Sequence, residues 1–268
     1  MLEWDGVWIT IGGTRVRSIT PNEVVEALND LPAHHEAWRD GATDEPAPTA
    51  RGLMLWKSRP MIDALAAVID EVQPRRIFEL GIAQGGSTAV LGALAPDAKI
   101  VAIDIASEPV AALADHIAGE GLSDRIHPHF GIDQSDRATV AGIIADEFGD
   151  EPIDLVIDDA SHRLDLTRAS FDELFPRVRP GGCYVIEDWS WAHYAFGDTP
   201  SDSFLPEGPP LTEMIFEILM ALGTGAGAVD RIEGEEDWVR VWRGPAELEV
   251  GTWTLSSAHR SHRPMTLG

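Results

Sequence analysis

The chain is short of several things that would each have named a class of protein. It has one cysteine in 268 residues, Cys183, so no disulfide can close within it. It has two lysines, Lys57 and Lys99, and the other basic residues are arginines. That bias belongs to genome composition or salt adaptation and carries no chemistry. Acidic side chains outnumber basic ones by 45 to 20, a formal charge of -25. Such a surface repels phosphate backbones and anionic lipid, so nucleic acid and membrane surfaces are excluded as partners, and solubility explains the charge. No apolar run approaches the roughly 20 residues of a membrane helix. The opening Met-Leu-Glu-Trp-Asp has no basic segment with an apolar stretch behind it. A cytoplasmic location is therefore expected. No internal repeat and no low-complexity tract occurs.

The ordinary hydrophobic share supports a packed core, and the length suits one α/β domain with additions. Residues 4–19 read as a hairpin: Val7 to Ile11 and Thr14 to Ile19 flank the two-residue turn Gly12-Gly13. Thr20-Pro21 opens a short helix, and residues 40–50 read as a loop. From residue 58 an alternation begins. Buried strands are expected at 76–80, 100–104, 125–130, 153–157 and 183–186. Helices are expected at 61–72, 87–94, from a Ser107 cap towards Ala118, near 135–147 and near 164–177. Strands alternating with helices imply a doubly wound, Rossmann-like parallel sheet covered on both faces. Residues 189–210, with Trp189, Trp191, His193, Tyr194 and Phe196, form a long irregular loop of the kind that covers ligands. A helix at 211–222 and antiparallel strands, including 238–242, follow. The expected divisions are 1–50 as an N-terminal hairpin and helix, 51–245 as the main domain, and 246–268 as a C-terminal strand and tail.

Two places carry chemistry. The first is the turn Glu79-Leu80-Gly81-Ile82-Ala83-Gln84-Gly85-Gly86-Ser87 between strand and helix. Glycines let the backbone turn sharply and a ligand lie against it. Glu79 can accept from an ammonium or hydroxyl donor, and Asp104 ends the second strand, where this fold offers a carboxylate to a ribose diol. The Gly-x-Gly-x-x-Gly spacing of a dinucleotide site is missing. S-adenosylmethionine (SAM) has no phosphate, so its turn tolerates Glu79. A Gly-rich turn alone would serve packing; Glu79, the strand–helix setting and Asp104 favour a SAM-type nucleoside site.

The second place joins two strand ends, Asp158-Asp159-Ala160-Ser161-His162 and Glu187-Asp188-Trp189. If these strands are neighbours their ends lie about 5 Å apart. Asp159, Glu187 and Asp188 then converge, repel one another and raise each other's pKa values unless a cation intervenes. All-oxygen ligands suit Mg2+, with Mn2+ or Ca2+ as substitutes. Asp158 reads as a solvated or capping residue. His162, three residues after Asp159, suits a general base for a hydroxyl that the cation acidifies.

The three motifs together, Glu-Leu-Gly-x-x-x-Gly-Gly-Ser, Ile-Asp-Asp-Ala-Ser-His and Tyr-Val-Ile-Glu-Asp-Trp, resemble the metal-dependent sugar O-methyltransferases of macrolide biosynthesis. Cephalosporin-hydroxylase-like proteins belong to the same wider group. The resemblance spans about residues 51–190 and implies a class I methyltransferase fold with a SAM-dependent, Mg2+-dependent O-methyltransferase activity on a sugar or other natural-product hydroxyl. It places Glu79, Gly81, Gly85, Ser87 and Asp104 in the donor site, with Gln84 and Ile105 beside them. Asp159, Glu187 and Asp188 become metal ligands, and His162 the base, with Asp159 sharing the catalytic role. Gly131-Ile132-Asp133-Gln134 resembles a segment bordering adenine and makes Asp133 a donor-site candidate, although the family's Gly-Asp-Gln is here interrupted by Ile132. Family members are commonly oligomeric, so a homo-oligomer is expected. The competing readings are a nicotinamide-dependent oxidoreductase on a similar sheet, which Asp104 fits and Glu79 does not, and a non-catalytic SAM-binding member.

Overall fold

The structure is a computed structural model, and it describes residues 3–4, 8–18, 52–193 and 208–259. The helix expected after Thr20, the loop at 40–50, and Tyr194 and Phe196 lie outside these residues.

Eleven strands are described. β1 (Glu3–Trp4), β2 (Trp8–Ile11), β3 (Thr14–Ser18) and β4 (Leu53–Leu55) form a small sheet in that order. The main sheet contains β5 (Arg76–Leu80), β6 (Lys99–Asp104), β7 (Ile126–Phe130), β8 (Ile153–Asp158), β9 (Val178–Glu187), β10 (Val229–Gly234) and β11 (Trp238–Arg243). Its order is β10-β11-β9-β8-β5-β6-β7. β5 to β9 are mutually parallel, and β11 enters antiparallel beside β9. The helices are α1 (Arg59–Val72), α2 (Gly86–Leu94), α3 (Ala111–Gly119), α4 (Arg137–Phe148), α5 (Leu164–Leu174) and α6 (Thr212–Gly223).

The sheet has an apolar cluster on each face. β8 reads as an unbroken buried run, as a strand covered on both sides must. Ile77, Leu91, Leu155 and Val185 belong to one face, and Phe78, Phe171, Tyr184 and Met214 to the other. The N-terminal hairpin is part of the first cluster: Ile9 and Val16 are fully buried with Leu91 and Leu113. Burying each such side chain contributes roughly 1.5–3 kcal/mol.

Two expectations are corrected. Ser107 does not cap α3, whose N-cap is Val110. Pro109 disfavours helical backbone at Glu108 and delays the start. The helix after β8 ends at Leu174, because Pro176 turns the chain into a 3-10 segment over Phe175–Arg177. The expected C-terminal strand and tail lie partly outside the described residues, and residues 246–259 hold no strand. Leu255–Ser257 form a 3-10 turn there, and Trp253 packs at a tilt against Phe171 and Phe175, so aromatic contact holds this piece on the core.

Register places the site. Leu80 pairs with Asp158, and Asp158 with Ile186, so Gly81, Asp159 and Glu187 reach the carboxyl edge of the sheet at one level. Chain order reverses between β5 and β8, where open α/β sheets form their ligand crevice. The small sheet reaches this edge too: Met54 bridges to Gly85, and a Cβ on Gly86 would lie 2.1 Å from the Met54 carbonyl oxygen. Gly86→Ala should therefore destabilise the fold by about 1–3 kcal/mol. Gly142→Ala, at an exposed helical position with open space around it, should stabilise by about 0.5–1 kcal/mol. Thermal melts check both; an unchanged midpoint for Gly86→Ala would refute the packing described.

Candidate functional site

The turn after β5 is built against its neighbours. The Asp104 carboxylate accepts from the amides of Ile82 and Ala83 at 2.8 Å through Oδ2, and from Ala106 at 2.8 Å through Oδ1. An ionised carboxylate has about four acceptor positions, so one remains for a hydroxyl donor. Gly81 has φ +93, and a Cβ there would meet the Asp159 carbonyl oxygen at 2.1 Å. Gly85 packs on Leu53 and Leu113. The glycines of this turn thus serve close approach of neighbouring backbone and side chains.

Glu79 is fully buried and accepts from the Thr88 hydroxyl at 2.6 Å. Burial pushes its pKa up to about 7, against the pull of that hydroxyl and of the Lys57 charge. Its Oε1, and Ser87 Oγ nearby in the turn, are buried without a hydrogen-bond partner. Gln84 accepts from Trp56 Nε1 at 3.4 Å, and Ile105 stands 69 % exposed beyond Asp104. The turn and its flank therefore present unpaired polar atoms, a carboxylate and an apolar face, which suits a nucleoside with a charged tail.

Asp133 is exposed, and its Oδ1 accepts from the amide and hydroxyl of Ser135, closing its own turn. Its segment does run beside the donor turn, because Ile132 N donates to the Asp104 carbonyl at 2.8 Å. The neighbouring Gln134 points inward instead and bonds Ser170 at 2.7 Å, Ser161 N at 3.1 Å and Asp158 at 3.4 Å. Asp158 is not a solvated residue: it is buried, accepts from Tyr184 at 2.8 Å, and burial raises its pKa to about 7. It occupies a strand position whose side chain enters the core.

At the adjoining strand ends, Asp159, His162 and Asp188 have ligand atoms within 4.8 Å of one another. His162 Nε2 lies 3.9 Å from Asp159 Oδ1 and 3.7 Å from Asp188 Oδ2, and its ring packs on Trp191 with centroids 4.6 Å apart. Glu187 is 1 % exposed and leaves Oε1 without a partner. Burial and the Asp159 charge push Glu187 well above the usual carboxylate range. Burial raises Asp188 to about 6, opposed by His162 and aided by Asp159.

One residue here escaped the sequence reading. Lys57, following β4, is 2 % exposed and bonds Asp159 Oδ2 at 2.6 Å and Glu187 Oε2 at 2.7 Å. Burial alone would lower its pKa, but the two carboxylates outweigh burial and hold the ammonium charged. Its one visible signal was scarcity, as one of two lysines.

Backbone strain concentrates at this edge. Four non-glycine residues among those described have positive φ, and three of them are Ala83, His162 and Asp188. Each left-handed non-glycine residue costs on the order of 1 kcal/mol and persists only where the surroundings hold it.

The Rossmann-like sheet, with its glycine-rich turn and an acidic cluster one strand away, has the fold of class I methyltransferases. Residues 78–189 match the family model described as a methyltransferase domain. Over 133 residues, 47 % of this chain, it is 37 % identical to 8-demethyl-8-(2-methoxy-alpha-L-rhamnosyl)-tetracenomycin-C 3'-O-methyltransferase of Streptomyces olivaceus. It is 53 % identical over 62 residues, 23 % of this chain, to mycinamicin VI 2''-O-methyltransferase of Micromonospora griseorubida. These matches cover 30 % and 14 % of the respective relatives. Among solved structures, the chain is similar to the MycE methyltransferase of the mycinamycin pathway in complex with Mg, SAH and mycinamycin VI. That likeness has a TM-score of 0.53 at 25 % identity, covering 88 % of this chain and 66 % of that one. A putative caffeoyl-CoA O-methyltransferase from Staphylococcus aureus shares the fold, with TM-score 0.51 at 12 % identity, covering 82 % of this chain and 99 % of that one. The described residues thus have the class I methyltransferase fold, and part of the chain is similar to named O-methyltransferases.

The raised carboxylates set a pH dependence. A carboxylate whose pKa is higher in the folded protein than unfolded favours the fold below the unfolded value, near 4, and loses that stability as pH rises through the folded value. For Glu79 the window runs from about 4.5 to 7. Without added cation or SAM, Glu79→Gln should melt like the wild type at pH 5 and above it at pH 8, by at most about 3 kcal/mol. Parallel melting curves across that range would contradict the assignment.

Proposed function

We propose that this chain is a SAM-dependent, divalent-cation-dependent O-methyltransferase acting on a hydroxyl of a sugar or other natural product. The observation that carries the reading is the placement of Asp159, His162 and Asp188 at the strand ends next to the Gly81 turn. The residues fit both groups. Asp159 and Asp188 bring ligand atoms together with His162, Glu187 stands outside that group with an unpartnered buried Oε1, and these carboxylate oxygens suit Mg2+ or Mn2+ held by Asp159, Glu187 and Asp188. The orphan atoms of Glu79 and Ser87, with the spare acceptor position of Asp104, fit SAM across Glu79, Gly81, Gln84, Gly85, Ser87, Asp104 and Ile105. Asp133 stays a candidate at the adenine edge through its neighbour Ile132. When bound, the cation acidifies and orients the acceptor hydroxyl and SAM supplies the methyl group.

The chain's own residues do the rest. His162 takes the hydroxyl proton at Nε2, with Asp159 and Asp188 stabilising the imidazolium that results. Trp191 limits the ring's movement by packing on it. His162, Asp188, Trp189, Trp191, His193 and Pro209 line one cleft, and the aromatic faces suit a sugar or polyketide surface. Its geometry makes an in-line transfer to oxygen a matter of positioning.

An acceptor panel of deoxysugar-bearing macrolides and aromatic polyketides tests this. Methylation should appear with Mg2+ and vanish in excess EDTA, and undiminished turnover in EDTA would remove the cation from the mechanism. His162→Ala should slow the chemical step about 10²–10⁴-fold; near-normal turnover would overturn the base assignment. Calorimetry should show SAM binding and no NAD binding.

A further inference from the structure

The segment Leu53–Lys57 touches both halves of the site. Met54 bridges to Gly85, Trp56 Nε1 donates to Gln84, and the Lys57 carbonyl is held by Ser18 Oγ at 3.0 Å. The last side chain of the segment then runs inward and divides its hydrogen bonds between Asp159 Oδ2 and Glu187 Oε2. Each carboxylate gives Lys57 one oxygen. The other Asp159 oxygen faces His162, and the other Glu187 oxygen is buried and unpartnered.

We propose that Lys57 is a positioning residue that sets both the ligand geometry and the charge of the cation site. Its ammonium pins one oxygen of Asp159 and of Glu187, which leaves their second oxygens, with Asp188, for the ion. It also reduces the charge of three carboxylates to a net of minus two, which one divalent cation neutralises. Glu79, buried nearby, feels the same ammonium, which opposes the rise that burial gives its pKa. This rests on the cation reading of the preceding section and adds to it why the site is balanced for a charge of two rather than three. Removing the ammonium leaves one uncompensated charge a few ångströms from the ion. A trivalent ion gains more from that charge than a divalent one. At an effective dielectric of about 40, between the near-surface and bulk-water values, and a separation of about 4 Å, the difference amounts to roughly 10–100-fold in relative affinity.

Terbium luminescence, sensitised by Trp189 and Trp191, reads this directly in the full chain, with Mg2+ as competitor. The wild type should bind both ions. Lys57→Met should raise the Tb3+ to Mg2+ affinity ratio about 10–100-fold. Lys57→Arg should restore the wild-type ratio even where both affinities fall, which a purely structural role would not produce. Where Lys57→Met does not fold, Glu187→Gln and the double variant Lys57→Met/Glu187→Gln close the comparison. The single change should lower the ratio, and adding Lys57→Met should bring it back to the wild-type value. A ratio indifferent to Lys57 in either background, in a protein that binds cations, would overturn the role of Lys57 and leave the cation site standing. Absence of any terbium or magnesium binding to the wild type would overturn both.

Discussion

Four carboxylates, Glu79, Asp159, Glu187 and Asp188, stand at the carboxyl ends of three adjacent strands with one ammonium among them. Such crowding is unfavourable in a low-dielectric edge, and each acid responds by holding its proton more tightly, by bonding Lys57, or by approaching His162. The rest of the edge is arranged around that conflict. Glycine at 81 lets the first strand's exit press against the Asp159 carbonyl, and Asp104 ties down the turn through its amides. Left-handed backbone at His162 and Asp188 accompanies the approach of these two side chains to one another.

The small N-terminal sheet gains a meaning from the same conflict. Its apolar face is spent within the chain, on Leu91 and Leu113. Its last strand delivers Lys57, so packing at the hairpin and electrostatics at the strand ends are mechanically joined. The part of this chain that supplies the ammonium lies before residues 78–189, which match the methyltransferase domain model.

Much of the fold was legible from period and punctuation. Buried β-branched runs at 76–80, 100–104 and 153–157 and the glycine-rich turn after Leu80 are local signals, and each led to the element found. Errors gathered where a proline governs, at Pro109 and Pro176. Within the site, Asp159, His162 and Asp188 were readable because they lie at strand ends whose order follows from right-handed crossovers. Asp158 and Gln134 were misjudged or passed over because facing inward or outward depends on register, which a single strand does not display.

By itself the sequence determined the alternation of strands and helices, the missing phosphate-binding spacing, and the acidic strand ends, all consequences of periodicity and residue chemistry within a few positions. Only the tertiary structure decided what balances those acids. Lys57 is 102 residues from Asp159 and 130 from Glu187, and nothing in its local sequence distinguishes a buried ammonium from a solvated one. That distinction arises when the small sheet packs on the glycine turn and carries the lysine out of water, where its charge is tolerated because the carboxylates are already there.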